Sequence, residues 1–256
     1  MNRGTYFAGV GAAGLLAAAV AVLSPHDDPP APTSAAPAAA RPQIVMADGD
    51  DRLPSTSATD WVTYADHVVV ASAASERRLP LGPTEAARGE GLIGRTVDMR
   101  VEKVLWSRKG APEAAPKRWT YNAAGFALTG GDQKAAAPMA LHGRPRMEAG
   151  HRYILAIAWE PARCSPGDRP EHARWMGLGE GSELPYDGGV IGQGEMEGRV
   201  RTAAQARALA AAGTGEQGLE EEMIGQNASA LTARLKAAPA TQKQAPSAQA
   251  RPPACD

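Results

Sequence analysis

Residues that could support metal or acid–base chemistry are scattered singly along this chain. None of the five histidines has the H-x3-H or H-E-x-x-H spacing that places two metal ligands on one helix face. We therefore expect surface or strand-end histidines, and neither a metal ion nor another cofactor is predicted. The five are His26, His67, His142, His151 and His172.

Motifs for nucleophilic or nucleotide chemistry are equally weak. Ser182 follows Gly-Glu-Gly but lacks the last glycine of a G-x-S-x-G elbow, although Ser182, Asp187 and a histidine could form a triad on paper. The stretch Gly89–Gly94 matches G-x-G-x-x-G, but it precedes a predicted strand instead of following one, so we interpret it as a loop. A non-catalytic protein is favoured, and an extracytoplasmic hydrolase with an unrecognised site is the alternative.

A basic cluster is the one candidate contact surface that the sequence offers. It lies between two predicted strands and suits an anionic cell-wall polymer or lipid headgroups, although a solvated loop would have the same composition. Nucleic acid is not expected, because the net charge of the chain is −1 and the N-terminal segment indicates a location outside the cytoplasm. The cluster consists of Lys103, Arg108, Lys109, Lys117 and Arg118.

The N-terminal segment, residues 1–24, indicates export. One arginine precedes an uncharged run from Gly4 to Ser24, and this charge favours an N-terminus inside the cell. The run is long enough to cross a bilayer, but it is mostly Ala and Gly, and Ala19–Ala21 offers an A-x-A cleavage pattern. A single-pass membrane anchor with an extracytoplasmic domain and a cleaved signal peptide of a secreted protein both fit. The membrane is a partner only if the segment is retained.

Two cysteines, Cys164 and Cys255, are the only thiols. Outside the cytoplasm two such thiols usually pair, so the sequence predicts a disulfide between them. In the chain-entropy model, a disulfide that closes the loop from residue 164 to residue 255 would stabilise the fold by about 4–5 kcal/mol. A Cys255 thiol available for an intermolecular bridge, or two inert thiols, are the alternatives.

Composition divides the rest of the chain. Residues 25–58 are rich in Pro and Ala and predict a disordered linker, and residues 239–256 predict a disordered tail. Apart from Tyr6 and Phe7, all ten aromatic residues lie between Trp61 and Tyr186. Because large aromatic side chains anchor cores, we place a β-barrel domain at 59–200 and a helical segment at 201–238.

Alternation of apolar and polar residues predicts strands within that domain. Thr96–Val101 alternates and then slips by one residue, which predicts a bulge near Glu102–Lys103. Tyr153–Trp159 is apolar on both faces, which is typical of a central strand. After residue 201, Leu219, Met223, Leu231 and Leu235 form a helical stripe. Asn227 interrupts the stripe, so we expect that helix to dock weakly or to stay exposed.

The order of these strands resembles a known architecture. The segments ADHVVVASA, TVDMRVEKVLW and GHRYILAIAW and the turn LPYDGGVIG resemble the OB-type barrels of bacterial extracytoplasmic proteins that are similar to the netrin and tissue-inhibitor-of-metalloproteinase fold. The excess of Arg over Lys resembles secreted or membrane-anchored actinobacterial proteins. The likeness covers about residues 60–195, and the N-terminal cysteine on which the metalloproteinase inhibitors depend is missing.

The resemblance and the residues together predict a mainly β fold. It is a small OB-like β-barrel or curled antiparallel sheet followed by one or two C-terminal helices, with an N-terminal hydrophobic helix. The expected function is a non-catalytic module of the cell envelope that binds a protein or polymer partner. The oligomeric state is left open.

Overall fold

The computed structural model describes residues 43–49, 53–164, 171–212 and 218–243. These belong to one compact unit, Arg41–Asp256, while the other unit, Met1–Ala40, lies outside the described residues. The predicted export segment, most of the predicted linker, Cys255 and the tail from residue 244 also lie outside them. The predictions for those parts stay predictions.

Strands dominate the described residues, as the sequence predicts. The ten strands are β1 (Val45–Ala47), β2 (His67–Arg78), β3 (Gly91–Ser107), β4 (Arg118–Leu128), β5 (Ala137–Leu141), β6 (Arg152–Glu160), β7 (Arg174–Gly177), β8 (Glu183–Pro185), β9 (Gly194–Met196) and β10 (Arg199–Arg201). The helices are α1 (Ala58–Tyr64), α2 (Pro83–Arg88), α3 (Ala203–Ala212), α4 (Leu219–Met223) and α5 (Ala228–Ala237). None of these helices has the length and apolar content needed to cross a bilayer.

Eight strands form one mixed sheet. Their order is β1-β5-β4-β3-β2-β6-β7, and β8 shares with β7 the remaining edge of β6. All these pairings are antiparallel except that of β1 with β5. Strands β9 and β10 form a separate hairpin. The sequence prediction of β6 as a central strand is confirmed, because β6 has partners on both edges.

The long hairpin of β2 and β3 is bent by register shifts. Val70 pairs with Lys103 and Ala71 pairs with Val101, so Glu102 has no partner in β2. This confirms the bulge that the broken alternation predicts at this residue. The shift lets Val101 face one side of the sheet and Leu105 the other, since they belong to different apolar clusters.

Helices cover one face of the sheet. Helices α1, α4 and α5 pack on apolar residues of β2, β3 and β6, with Trp61 fully buried. Asn227 caps the N-terminus of α5 and accepts from the Ser229 and Ala230 amides at 2.9 and 3.0 Å. The four residues of the predicted stripe are all buried, so the expectation of a weakly docked helix is wrong. Asn227 separates two packed helices, α4 and α5, and does not weaken the docking of a single helix.

The opposite face of the sheet does not close into a barrel. Within the described residues no pairing joins β1 to β7 or β8, so the closed OB-like barrel is corrected to an open, mixed sheet. The loop between β5 and β6, residues 142–151, supplies the missing cover: Met147 is 1% exposed and packs among Tyr153, Tyr121 and other residues of this face. A loop fills the space that further strand pairing would occupy.

Two buried ions hold that loop in place. The Glu195 carboxylate accepts from the amides of Arg146, Met147 and Gly198 at 2.9, 3.0 and 2.6 Å, and from the Tyr153 hydroxyl at 2.8 Å. The Arg95 guanidinium, fully buried, donates to the carbonyls of Arg146 and Met147. Burial, followed by the Glu195 charge, raises the pKa of Tyr153, so its hydroxyl stays a donor.

We expect Glu195→Gln to lower the free energy of unfolding by about 3 kcal/mol, because one amide or hydroxyl donor would face the glutamine NH2 inside the core. The urea unfolding midpoint measures this at unchanged slope. Glu197→Gln is the matched control: its carboxylate accepts one amide, of Gly143, at the surface, and the expected loss is below about 1 kcal/mol. Equal losses in the two variants would contradict the assignment.

Candidate functional site

The candidate site is built around Asp66, where β2 begins and β3 ends. Asp66 is 2% exposed; its carboxylate accepts from the Trp159 amide at 2.7 Å and forms an ion pair with Arg108. The Arg108 amide donates to the Asp66 carbonyl at 2.9 Å, and its Nε donates to the Ala65 carbonyl at 3.2 Å. These bonds fix Arg108 at the rim of the sheet and use most of its charge.

Helix α1 and the segment after α5 form the other wall. Ser57 and Asp60 cap α1 reciprocally, which starts the helix just before the buried Trp61. The chain that leaves α5 crosses α1, where the Thr241 amide donates to Thr63 Oγ1 at 2.9 Å and the two hydroxyls lie 3.2 Å apart. The last described residues are therefore attached to the first helix.

Between these walls lies an open groove of about 650 Å³. We call it the lysine groove; its cationic residues are Arg108, Lys109, Lys236 and Lys243. The half-buried Trp106 also lines it, together with the two linked threonines. A cationic groove with an aromatic wall and hydroxyl groups can bind an anionic group and cover part of its carbon skeleton.

The charge of the lysine groove is unbalanced. Asp66 neutralises Arg108, whereas Lys109, Lys236 and Lys243 form no ion pair with any described residue. Partial burial, and next the Arg108 charge, lower the pKa of Lys243 from its ordinary value. A bound anion would offset both effects, because it would return a counter-charge to the ammonium.

Only part of the basic cluster predicted from the sequence lines the groove. Arg108 and Lys109 do, whereas Lys103 lies opposite Val70 within the β2–β3 pairing. Arg118 pairs with Arg100 of β3. Arg100 precedes Arg108 by eight residues, so Arg118 lies roughly 25 Å from Arg108 along the extended strand. Lys117 precedes it, where its carbonyl accepts from the Val101 amide at 3.0 Å. The antiparallel course of β3 and β4 thus separates the cluster into two places.

The sequence analysis missed the partners that complete the groove. Lys236 lies in the last turn of α5 and Lys243 in the segment assigned to a disordered tail. Both are more than 120 residues from Lys109 in the chain. Only the packing of α5 on α1 unites them, and the apolar stripe of α5 was the sole sequence signal of that packing.

The candidate catalytic residues do not form a triad. His151 Nδ1 lies 2.6 Å from Asp187 Oδ2, and Asp187 Oδ1 accepts from the Arg152 amide at 2.8 Å. Ser182 is fully buried, and its hydroxyl donates to the Gly179 carbonyl at 2.6 Å, so it is no nucleophile for this pair. Of the predicted triad, the structure therefore contains the contact between His151 and Asp187 but not a contact with Ser182.

Other predicted positions are structural. Both ring nitrogens of the buried His67 are bonded, one to Ser107 Oγ at 2.8 Å and one to the Glu113 carbonyl at 2.9 Å. Gly89 ends α2 with φ of 69°, but residues 91–94 already belong to β3, so the predicted loop is corrected to a helix end that leads directly into a strand. Across the described residues, no three His, Cys, Asp or Glu side chains form a metal cluster. The Cys164–Cys255 disulfide stays a prediction, since Cys255 lies outside the described range.

We expect Thr63→Val to release the segment after α5, because it removes the acceptor of the Thr241 amide at constant side-chain volume. Hydrogen exchange at Thr241 should accelerate about fivefold to tenfold, which corresponds to one lost hydrogen bond of about 1 kcal/mol. Thr232→Val, which removes a hydroxyl bonded to the Ala228 carbonyl on α5, is the control and should leave Thr241 unchanged. Unchanged exchange in Thr63→Val would show that the threonine link does not hold this wall.

Comparison with known proteins gives no relative from which a function could be transferred. No family model, no curated protein and no solved structure shows a significant match to the chain. The resemblance to OB-type barrels stays a prediction from strand order. A function for this protein therefore has to rest on the geometry and charge of the chain itself.

Proposed function

We propose that this protein is a non-catalytic, extracytoplasmic module of the cell envelope that binds an anionic polymer through the lysine groove. The observation that carries the proposal is the convergence of Lys109, Lys236 and Lys243 beside Trp106, since none of the three forms an ion pair with a described residue and the nearby Asp66 is paired with Arg108. Three such ammonium groups in one groove attract a chain of negative charges more strongly than the same groups spread over a surface.

The shape of the site supports a polymer as the partner. The groove is open to solvent and lies where the C-terminal ends of β3, α1 and α5 meet, so a chain can enter and leave it. Trp106 and the apolar stems of the lysines offer contact to the backbone of such a polymer. Lipid headgroups share the anionic chemistry, and a vesicle titration distinguishes them from a free polymer.

The proposed location rests on the N-terminal sequence. The uncharged run from Gly4 to Ser24 favours export, either as an anchor or as a cleaved signal. A retained anchor would tether the module to the membrane, whereas cleavage would release a secreted module. Both arrangements expose the lysine groove to polymers outside the cytoplasm.

The chain provides a matched test, because it has six lysines and three of them lie outside the groove. We expect the triple variant Lys109→Ala, Lys236→Ala and Lys243→Ala to weaken binding of the full-length protein to short-chain inorganic polyphosphate at least about tenfold. The triple variant Lys103→Ala, Lys117→Ala and Lys134→Ala removes the same charge and should weaken binding less than about threefold. Calorimetric titration at two salt concentrations measures both.

Equal weakening by the two triple variants would mean that net charge, and not the groove, governs binding, and the proposal would fail. Vesicles containing an acidic phospholipid provide the second arm. If they bind the wild type tightly and polyphosphate does not, the partner of the groove is a membrane surface and not a polymer.

One observation favours the alternative, an extracytoplasmic hydrolase. The partly exposed His151 is oriented by Asp187, and its Nε2 has no hydrogen-bond partner among the described residues, which is the arrangement of a general base. The serine of the predicted triad, Ser182, is buried and donates to the Gly179 carbonyl instead, so the non-catalytic function is preferred.

We expect wild type, His151→Ala and the control His142→Ala to release p-nitrophenolate from p-nitrophenyl acetate at the same rate as one another. A wild-type rate that His151→Ala alone lowers about tenfold or more would favour the hydrolase instead.

A further inference from the structure

A row of arginines crosses the sheet beyond the helices. Arg152 of β6 pairs with Ser72 of β2, Ser72 pairs with Arg100 of β3, and Arg100 pairs with Arg118 of β4. Residues directly opposite one another share a face, with Cβ atoms about 5 Å apart. Three guanidinium groups and one hydroxyl therefore lie side by side on the face that carries the helices elsewhere.

The positive charge of this row is poorly compensated. Arg100 and Arg118 are exposed and oppose each other, a like-charge arrangement that disfavours the pairing, and neither forms an ion pair with a described residue. Among the described residues Arg152 forms one ion pair, with Glu102 at 3.8 Å, and its buried Nε has no hydrogen-bond partner among them. An oxyanion between Arg100 and Arg118 would relieve their repulsion through two forked contacts.

The next row along the same strands carries a hydrogen-bond acceptor, the Asp98 carboxylate. Ser75 pairs with Asp98 and Asp98 pairs with Thr120, and both hydroxyls donate to the Asp98 carboxylate, at 2.9 and 3.3 Å. These two bonds fix the carboxylate and leave further lone pairs free to accept. A cationic row thus lies two residues, roughly 7 Å, from an oriented carboxylate.

The second row and, apart from Arg152, the first row line one cavity of about 650 Å³. Its remaining lining includes the small Ala74 and Gly150. The site therefore combines paired cations, hydroxyl groups and an acceptor on one face of the sheet.

We propose that this face binds an acidic saccharide, with the acid group on Arg100 and Arg118 and a ring hydroxyl donating to Asp98. A bare anion would suit the arginines but would be repelled by the carboxylate beside them. A sugar acid carries a negative group and hydroxyl donors about one ring apart, which matches the two rows. The site shares no residue with the lysine groove and does not rest on the function proposed for it.

Tetragalacturonate, neutral maltotetraose and inorganic phosphate are the probes, titrated by calorimetry into the full-length protein. We expect tetragalacturonate to bind, maltotetraose not to bind, and the double variant Arg100→Ala and Arg118→Ala to weaken tetragalacturonate at least about tenfold. Arg100→Lys with Arg118→Lys keeps the charge but loses the fork, and should recover only part of the affinity. Arg199→Ala with Arg207→Ala, two exposed arginines elsewhere, should change nothing.

Asp98→Asn separates a saccharide site from a simple anion site. It should weaken tetragalacturonate about threefold or more and leave phosphate binding unchanged or tighter, since only the sugar donates to the carboxylate.

Failure to bind tetragalacturonate at millimolar concentration, or wild-type affinity in the double arginine variant, would overturn the proposal. Tighter tetragalacturonate binding by Asp98→Asn would reduce the site to a bare-anion site. The lysine-groove triple variant should bind tetragalacturonate with wild-type affinity. The proposals for the two sites are therefore tested independently.

Discussion

The fold depends on two opposite charges that hold one dipeptide from both sides. Glu195 accepts the amides of Arg146 and Met147, and Arg95 binds the carbonyls of the same two residues. A loop buried against a sheet has no ladder to satisfy its backbone, so these groups would otherwise be left without partners. Both ions are desolvated at a cost, which is offset because Glu195 accepts four hydrogen bonds and Arg95 forms an ion pair with Glu76 besides its bonds to carbonyls.

This arrangement also determines which surfaces remain for contact. The loop with Met147 fills the face that a barrel would enclose, and helices α1, α4 and α5 cover most of the other face. What stays open is the rim where β3, α1 and α5 meet, and the stretch of sheet beyond the helices. Both candidate binding surfaces lie in these two places, so the packing of the core explains why ligands would be bound at the periphery.

The sequence predicted the parts of the fold that rest on local patterns. Alternation located β6 and the bulge at Glu102, and the apolar stripe indicated the helical segment that contains α4 and α5, although as one weakly docked helix. It could not predict that Arg95 and Glu195 are buried, because their neighbours give no sign of the distant partners that make burial tolerable. The lysine groove was half predicted for the same reason: Arg108 and Lys109 are adjacent in the chain, whereas Lys236 and Lys243 reach them only through tertiary packing.

The bond between Thr63 and Thr241 has a consequence for biosynthesis and turnover. One wall of the lysine groove is formed jointly by the first helix of the described chain and by its last described residues. The groove therefore cannot exist on a nascent chain until residue 241 has been synthesised and has folded back onto α1. In the same way, a protease that cuts after α5 would remove Lys243 and part of this wall while leaving the sheet and its buried ions intact. Ligand affinity can thus be lost by trimming without unfolding the protein.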